Sequence, residues 1–261
     1  MMTTSILVCP DADRIALRAL DLMVTQLDAA QRRRGEAHLA LTGGSSASTL
    51  YEALRTQARA RRVDWQRVHI WQGDERFVDP GDAESNWGAA RREWLEHPDG
   101  PRIPSGRLHP VPVAEAMAGG HAEDWAAARY ARELEALTPR RDGLPAIDVI
   151  LLGVGSDGHI LSAFPAGAAL KADSEIVVAV PAPTHIGPHL PRVTLVPRLL
   201  AAAGLILLMV PGTPKRAVLA DCFGDEWDPR RWPAQHAIRP NAIWLLDRDC
   251  AAGWLRGQPT V

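Results

Sequence analysis

Lysine is almost absent from this chain. Of its 29 basic side chains only Lys171 and Lys215 are lysines, and arginine supplies the others. Acidic residues number 31, so the net charge is -2, which leaves no positive field that would draw the protein onto nucleic acid or an anionic membrane. We therefore expect no nucleic-acid or membrane partner, and any site for an anion must be local.

Cysteine and long apolar runs are also scarce. Cys9, Cys222 and Cys250 are an odd number without C-x-x-C spacing, so the sequence predicts neither a disulfide framework nor a zinc ribbon. The longest apolar stretch, residues 199–210, is shorter than the roughly 18 residues that cross a bilayer. The opening residues carry too short an apolar run for a signal peptide. These absences favour a cytoplasmic protein.

The composition is that of an ordinary globular protein. The 261 residues are 46% hydrophobic and 23% charged, which excludes a disordered chain, a collagen-like repeat and a coiled coil. No internal repeat, low-complexity tract or composition shift divides the sequence. We expect residues 1–261 to form a single domain, as a monomer or a homodimer.

Short runs rich in Val, Ile and Leu alternate with amphipathic helical patterns. This alternation predicts an α/β fold with a mainly parallel sheet. The predicted strands are residues 6–9, 38–41, 68–71 and 147–152, with further candidates at 176–180, 205–210 and 242–246. The predicted helices are 14–33, 48–61, 85–94, 122–137 and 214–220, and the predicted loops are 96–113, 180–191 and 223–233. We expect Asp11 or Asp13 to cap the first helix and Ser48 the second.

A strand that runs into glycines and serines is the first candidate site. Residues 39–48 read LALTGGSSAS. Gly43 and Gly44 let the backbone approach an anion, with Ser45 beside them, and the N-terminus of the following helix supplies unpaired N–H groups. This arrangement suits a phosphate. An ordinary strand-to-helix turn is the alternative, because the segment has neither a Walker A nor a G-x-G-x-x-G pattern.

A second strand end delivers charged residues together. The strand predicted at 68–71 is followed by Asp74, Glu75 and Arg76. Ligands of parallel sheets lie beyond the carboxyl ends of the strands, so charged groups at this place favour a function. A solvated turn with a local ion pair is the alternative.

The sharpest signal is residues 147–165, IDVILLGVGSDGHILSAFP. A buried strand runs into a glycine-rich loop that presents Asp157 and His159. Because histidine titrates near neutrality, a loop histidine beside an aspartate predicts a general base with its orienting partner. The other eight histidines look scattered and have no metal-ligand spacing such as H-E-x-x-H, so we expect no metal.

Two cations complete the set of candidates. Arg192 follows the proline-rich loop 180–191, and Lys215 follows the strand predicted at 205–210. Both could reach the sheet edge that carries Gly43, where cations commonly bind phosphate. Either residue taken alone would be read as an ordinary surface charge.

These segments, in this order, resemble the 6-phosphogluconolactonase family, within the group that also contains glucosamine-6-phosphate isomerase/deaminase. The matching strings are TGGSS, GDERFVDPGDAESNW, GVGSDGHILSAFP, RVTL and PGTPK. The resemblance spans roughly residues 39–215. Arg76, followed by a Ser-Asn-aromatic triplet that contains Asn86, favours the lactonase branch, since the deaminases typically carry Asp-Glu-Tyr at that place.

The resemblance implies a modified Rossmann-like three-layer sandwich that hydrolyses 6-phosphoglucono-δ-lactone in the oxidative pentose phosphate pathway without a cofactor. It implies His159 as the catalytic base, with Asp157 and Arg76 beside it. It also implies a phosphosugar lactone as the small-molecule partner. The substrate-binding residues that it implies are Gly43, Gly44, Ser45, Asp74, Glu75, Asn86, Arg192 and Lys215.

This sequence departs from the family pattern at a few positions. Ala47 replaces the usual proline after the glycine turn, and Ile160 replaces the usual threonine after the catalytic histidine. A lost hydroxyl beside His159 matters if it binds substrate. Two other functions therefore stay open: a sugar-phosphate isomerase or deaminase of the same group, and a non-catalytic sugar-phosphate-binding module.

Overall fold

The computed structural model describes residues 4–252. Its strands are β1 (Ser5–Cys9), β2 (Ala37–Leu41), β3 (Val68–Gln72), β4 (Asp74–Arg76), β5 (Leu108–His109), β6 (Arg140–Arg141), β7 (Leu144–Pro145), β8 (Val149–Leu152), β9 (Val177–Val180), β10 (Arg192–Leu195), β11 (Leu205–Val210) and β12 (Ala242–Asp247). Its α-helices are α1 (Ala12–Arg34), α2 (Ser45–Thr56), α3 (Asn86–Ala90), α4 (Val113–Ala118), α5 (Glu123–Leu137), α6 (Arg216–Cys222) and α7 (Arg248–Ala251).

Seven of the strands form one sheet, in the order β1-β12-β11-β8-β2-β3-β5. All of its neighbouring strands run parallel. The central strands β2 and β8 are buried along their whole length, as expected of a parallel sheet covered on both faces. The predicted α/β fold with a mainly parallel sheet is therefore confirmed.

Helices cover both faces of this sheet. On one face α1 and α2 pack against β2, β3 and β11, and on the other α5 and α6 belong to a second core. Leu20, Met23, Val24 and Leu27 form the inward stripe of α1 and are at most 1% exposed. Burying each such side chain contributes about 1.5–3 kcal/mol. The two cores on either side of one sheet make the three layers that the family resemblance implied.

A smaller antiparallel sheet of β4, β10 and β9 lies beside the main one. The strand predicted at 176–180 exists as β9, but its placement in the mainly parallel sheet is wrong. It pairs with β10, whose other edge pairs with β4 directly after β3. Residues 74–76, for which a solvated turn was the alternative reading, form β4 because they pair with β10.

Helix α2 begins three residues earlier than predicted, at Ser45. Gly44, at φ +86°, is its N-cap, and the amides of Ala47 and Ser48 donate to the Gly44 carbonyl. The predicted cap at Ser48 is therefore wrong. Asp11 caps α1 as predicted, since its carboxylate accepts from the Arg14 amide at 2.8 Å.

Two of the three predicted loops are confirmed. Residues 181–191 contain neither helix nor strand, and after α6 none begins until a short 3-10 helix at Pro233–Ala237. The prediction for residues 96–113 is wrong in part, because it contains β5 and the first residue of α4. Leucine and histidine in β5 extend the main sheet by pairing with β3.

The scarce residues of the sequence lie inside the fold. Cys9, Cys222 and Cys250 are buried free thiols, and burial raises the pKa of both Cys222 and Cys250 to about 12. Within residues 4–252, no helix combines the length and the apolar character that crossing a membrane requires.

Candidate active site

A cavity of about 320 Å³ opens at the carboxyl ends of the central strands. Its walls follow β2, β3, β8 and β11, where a ligand of a parallel α/β sheet is expected. Nine of the eleven predicted site residues line it: Gly43, Gly44, Ser45, Asp74, Arg76, Asn86, His159, Arg192 and Lys215. Glu75 and Asp157 do not line the cavity, but they form hydrogen bonds with residues that do.

The glycine turn after β2 forms one wall. A side chain at Gly43 would collide with Asn86, because a Cβ there would lie 2.0 Å from Oδ1 of Asn86. Gly44 has a positive φ that glycine adopts readily. The chain can therefore pass close to the cavity and turn directly into α2, whose first amides have no partner within the helix. This backbone geometry is the one that the sequence predicted for an anion site, and the binding of an anion there stays a prediction.

The glycine-rich loop after β8, the strand next to β2, forms another part of the wall and holds His159. Asp157 Oδ1 accepts from Nδ1 of His159 at 2.6 Å and from its backbone amide at 3.2 Å. A Cβ on Gly155 would lie 2.1 Å from Nδ1 of His159. Only glycine at position 155 leaves room for the aspartate–histidine pair, so this loop composition follows from the pair it carries.

The carboxylate of Asp157 determines which ring nitrogen of neutral His159 carries the proton. Burial alone would raise the pKa of Asp157, but hydrogen bonds from His159 and His185 and the charge of His159 outweigh it and hold that pKa well below its ordinary value. Asp157 is thus an ionised acceptor, which assigns the proton of neutral His159 to Nδ1. Nε2 then carries a lone pair and can take a proton.

Two arginines lie side by side on neighbouring strands of the small sheet. Arg192 of β10 is the register partner of Arg76 of β4, and both line the cavity. In each guanidinium group the Nε atom is buried and has no hydrogen-bond partner within residues 4–252. Burial lowers the pKa of Arg192, although an arginine stays charged at neutral pH. Two buried donors without acceptors predict an anionic ligand.

The other contacts of these arginines hold them in place. Arg192 donates to the carbonyl of Pro188 at 3.1 Å, and its guanidinium carbon lies 5.6 Å from the centre of the Phe164 ring. Arg76 pairs with the carboxylate of Glu84 at 2.5 Å. Both Nε–H groups are therefore presented from side chains that are already positioned, which lowers the entropy cost of binding.

Lys215 adds a third cation. It follows β11 in a short 3-10 turn, Thr213–Lys215, and lines the cavity. Burial lowers its pKa, and the charge of Asp157 opposes that shift. The predicted meeting of Arg192, Lys215 and the Gly43 turn at one sheet edge is what the structure shows.

Glu75 lies beneath the cavity. It is 2% exposed, and burial raises its pKa although its hydrogen bonds oppose the shift. Its carboxylate gathers five donors: Nε2 of Gln72, the hydroxyl of Ser85, and the amides of Arg76, Asn86 and Trp87. Glu75 therefore fixes the start of α3, and with it the position of Asn86.

Asp74 lines the cavity and is held in place by hydrogen bonds to neighbouring side chains. Its Oδ2 accepts from the hydroxyl of buried Ser162 at 2.6 Å, and its backbone carbonyl accepts from Nδ2 of Asn86 at 3.2 Å. Asp74 and Asn86 therefore present polar atoms to the same wall. Those atoms suit the hydroxyl groups of a sugar.

The two departures from the family pattern point into the cores. Ala47 is 1% exposed and Ile160 is 0% exposed, and neither lines the cavity. The methyl and butyl groups at these positions pack among other apolar side chains. A hydroxyl missing from position 160 is therefore lost from the packing beneath His159 and not from the cavity wall.

Part of the cavity wall was not predicted from the sequence. Ile186, Gly187 and Pro188 of the loop 181–191 line the cavity, and His185 of the same loop bonds to Asp157 at 2.7 Å. Proline content predicted the loop but carried no information about where it lies. Its one available signal was its attachment to Arg192, which already belonged to the candidate set.

Two histidines that look scattered in the sequence, His38 and His69, lie together near the amino ends of β2 and β3. Glu36, His38 and His69 have possible ligand atoms within 4.8 Å of one another. Nε1–H of Trp71 donates to Nδ1 of His38 at 3.1 Å, which assigns the proton of neutral His38 to Nε2 and leaves no lone pair there. Arg107 also holds Glu36 at 2.8 Å. This cluster does not suit a divalent cation, and the expected absence of a metal stays a prediction.

Fold and site together define an α/β protein with a cavity at the carboxyl ends of its strands, lined by three cations and by the histidine of an aspartate–histidine pair. A family model described as "Glucosamine-6-phosphate isomerases/6-phosphogluconolactonase" matches residues 10–245. The chain belongs to this family, as its sequence motifs predicted.

Individual relatives are similar over nearly the whole chain. The 6-phosphogluconolactonase of Mycobacterium tuberculosis is 38% identical over 252 residues, which are 96% of this chain and 98% of that protein. The 6-phosphogluconolactonase of Nostoc sp. is 34% identical over 255 residues, 97% of this chain and 98% of the relative. The solved 6-phosphogluconolactonase of Trypanosoma cruzi superposes with a TM-score of 0.83 at 26% identity, covering 96% and 97% of the two chains.

Proposed function

We propose that this protein hydrolyses 6-phosphoglucono-δ-lactone to 6-phosphogluconate, a reaction of the oxidative pentose phosphate pathway, without a cofactor. The lactonase relatives support this activity. The observation that carries the proposal is one cavity that holds both a base with a free nitrogen and three cations. Those are the groups that water activation and a phosphorylated substrate require.

The phosphate binds at the α2 end of the cavity. The amides around Gly44 and Ser45 and the positive end of the helix dipole face it, and Arg192 and Lys215 supply charge. Asp74 and Asn86 bind hydroxyls of the sugar ring. Binding energy from the phosphate, which does not react, is converted into orientation of the lactone carbonyl beside His159.

His159 acts as the general base. Its Nε2 takes a proton from water while the water oxygen adds to the lactone carbonyl carbon, which gives a tetrahedral oxyanion. Collapse of this intermediate breaks the ring C–O bond, and the proton on Nε2 goes to the ring oxygen that leaves as a hydroxyl. Asp157 stabilises the imidazolium between the two steps. The product is the open-chain carboxylic acid, which ionises at neutral pH and releases its proton to solvent.

Arg76 stabilises the oxyanion. Arg76 lines the cavity, and its buried Nε–H has no partner within the described residues 4–252. A fixed donor in a partly buried site stabilises a developing negative charge more than water does. The pairing with Glu84 holds the guanidinium group in place. The charge of Arg192, its register partner, is then available for the phosphate.

The test is hydrolysis of freshly generated 6-phosphoglucono-δ-lactone, followed as proton release above the spontaneous rate. We expect fast turnover that requires the 6-phosphate, so that unphosphorylated gluconolactone is a poor substrate. Binding of 6-phosphogluconate without any turnover would instead identify a sugar-phosphate-binding module. Release of ammonia from glucosamine 6-phosphate would identify the isomerase/deaminase activity of the family.

A further inference from the structure

A second histidine contacts the carboxylate that supports His159. Asp157 Oδ1 is occupied by His159, and Nε2–H of His185 donates to Oδ2 at 2.7 Å. The side chain of Asp157 is 16% exposed, that of His159 is 20% exposed and that of His185 is 48% exposed. Each oxygen of one largely buried carboxylate thus carries its own imidazole.

The ring of Phe164 sets the geometry of both histidines. Its centre lies 4.7 Å from that of His159, and it meets His185 edge to face at 5.8 Å with an interplanar angle of 90°. Phe164 is itself 5% exposed. A buried ring in contact with both imidazoles limits how far either can rotate, so the contacts to Asp157 are held from two sides.

The loop that carries His185 is held at two points. His185 bonds to Asp157, and the backbone carbonyl of Pro188 accepts from the side chain of Arg192 at 3.1 Å. The residues between these two contacts, 186–188, form part of the cavity wall. His185 therefore lies at the point where this wall meets the residues proposed to perform catalysis.

We propose that His185 is a positioning residue for the hydrolytic reaction, which fixes the Asp157 carboxylate from the side opposite His159. The proposal rests on the proposed function, since it assigns His185 a part in the work of His159. A carboxylate held by one partner can rotate about its Cβ–Cγ bond. With Oδ2 bonded to His185, Oδ1 stays in the plane and position that keep the His159 proton on Nδ1.

The variants His185→Ala and His185→Gln test this role. The glutamine Nε2 can occupy the place of the histidine Nε2, so this variant keeps the donor to Asp157. We expect His185→Ala to lower kcat about tenfold, the loss typical of one hydrogen bond to a charged group, with KM changed less than twofold. His185→Gln should restore most of kcat.

His189 provides the matched control. It lies on the same loop, and its Nδ1 bonds to the carbonyl of Pro183 at 2.6 Å, away from Asp157. In His189→Asn the amide nitrogen can replace Nδ1, so kcat, KM and the pH profile should stay as in the wild type. An unchanged kcat in His185→Ala, or a change confined to KM, would show that His185 only holds the loop and would overturn the proposal.

A readout without substrate distinguishes this proposal from the proposed function. The ¹⁵N resonances of the His159 ring report which nitrogen carries the proton. We expect a single Nδ1–H form in the wild type and His185→Gln, and a mixture of tautomers in His185→Ala. Identical His159 spectra in all three proteins would refute the positioning role even if the lactone is hydrolysed. If the lactone is not hydrolysed, the same spectra still decide it.

Discussion

The central sheet carries two hydrogen-bonded chains of carboxylates and histidines, one at the cavity and one away from it. At the carboxyl ends, Asp157 bonds to His159 and His185. A second chain begins at the amino end of β3, where His69 bonds to His109 of β5 at 2.8 Å, and His109 bonds to Glu133 of α5 at 2.7 Å. Both are carboxylate–histidine chains within one protein, and only the first faces the cavity.

The difference lies in where each chain ends. The chain at the amino ends continues from His69 to Arg107, which also bonds to Glu36, and its rings stack with His69 and His109 centres 5.0 Å apart. Both ring nitrogens of His69 and of His109 therefore have a partner. The chain at the cavity ends in a nitrogen of His159 that is left with a lone pair. A histidine becomes a candidate base through this free nitrogen and not through the carboxylate beside it.

Removing the free nitrogen has the largest expected effect. We expect His159→Ala to lower kcat by about 10²-fold or more, the usual share of general base catalysis. Lactone hydrolysis measured beside the wild type checks this, with far-ultraviolet circular dichroism as a control for folding. A folded variant that keeps the wild-type kcat would remove His159 from the role.

Removing a cation from the same cavity affects binding more than chemistry. In Lys215→Ala we expect KM to rise about tenfold, because a hydrogen bond to the charged phosphate is lost. Discrimination against unphosphorylated gluconolactone should fall as well. Lys171→Ala is the matched control, since Lys171 lies outside this cavity, and it should change neither parameter. Retained discrimination in Lys215→Ala would contradict the proposed phosphate contact.

Breaking the hydrogen-bonded chain of Glu133, His109 and His69 should lower the stability of the protein without lowering its activity. His109→Leu leaves Glu133 and His69 without their partner, and a buried polar group without a partner costs about 1–3 kcal/mol. We expect the free energy of unfolding in urea to fall by that amount while kcat and KM stay as in the wild type. A loss of kcat without a loss of stability would show that the two chains are coupled across the sheet.

The amino-end cluster also predicts how stability depends on pH. Burial, and next the charge of His69, lower the pKa of His38 to about 3, below its unfolded value of about 6.5. The unfolded chain therefore binds a proton that the folded protein does not. The stabilisation is complete above pH 6.5 and is lost as the pH falls from there toward 3, by at most about 1.4 kcal/mol per pH unit.

The variant His38→Asn tests this dependence. Its amide oxygen can still accept from Nε1–H of Trp71, but the side chain does not titrate. We expect the fall in unfolding free energy between pH 7 and pH 5 to be smaller than in the wild type. Equal slopes in the variant and the wild type would show that His38 does not contribute.

The fold was predictable to the extent that it depends on local pattern. Apolar runs located all the strands of the main sheet except β5, which has only two residues, Leu108 and His109. The small sheet was not predictable as such. The triplet Asp74–Arg76 has no apolar alternation, and it forms a strand because β10 returns from far along the chain to pair with it.

The site was predictable where one segment carries both its backbone and its chemistry. Glycines beside Asp157 and His159 signalled that loop, because only glycine fits against the pair. Contacts between distant segments carried no such signal, and this is why His185 was missed. The role of Glu75 was hidden for the same reason, since it becomes apparent only when five donors from residues 72–87 converge on one carboxylate.

The scarcity of lysine makes the cavity addressable by chemical labelling. Lys171 and Lys215 are the two lysines of the chain, and burial lowers the pKa of Lys215, which enlarges its fraction of uncharged, nucleophilic amine at neutral pH. An aldehyde that carries a phosphate, followed by borohydride reduction, is drawn to this amine by the neighbouring cations. A covalent reporter can thus be directed to the cavity without introducing a cysteine or removing any native residue.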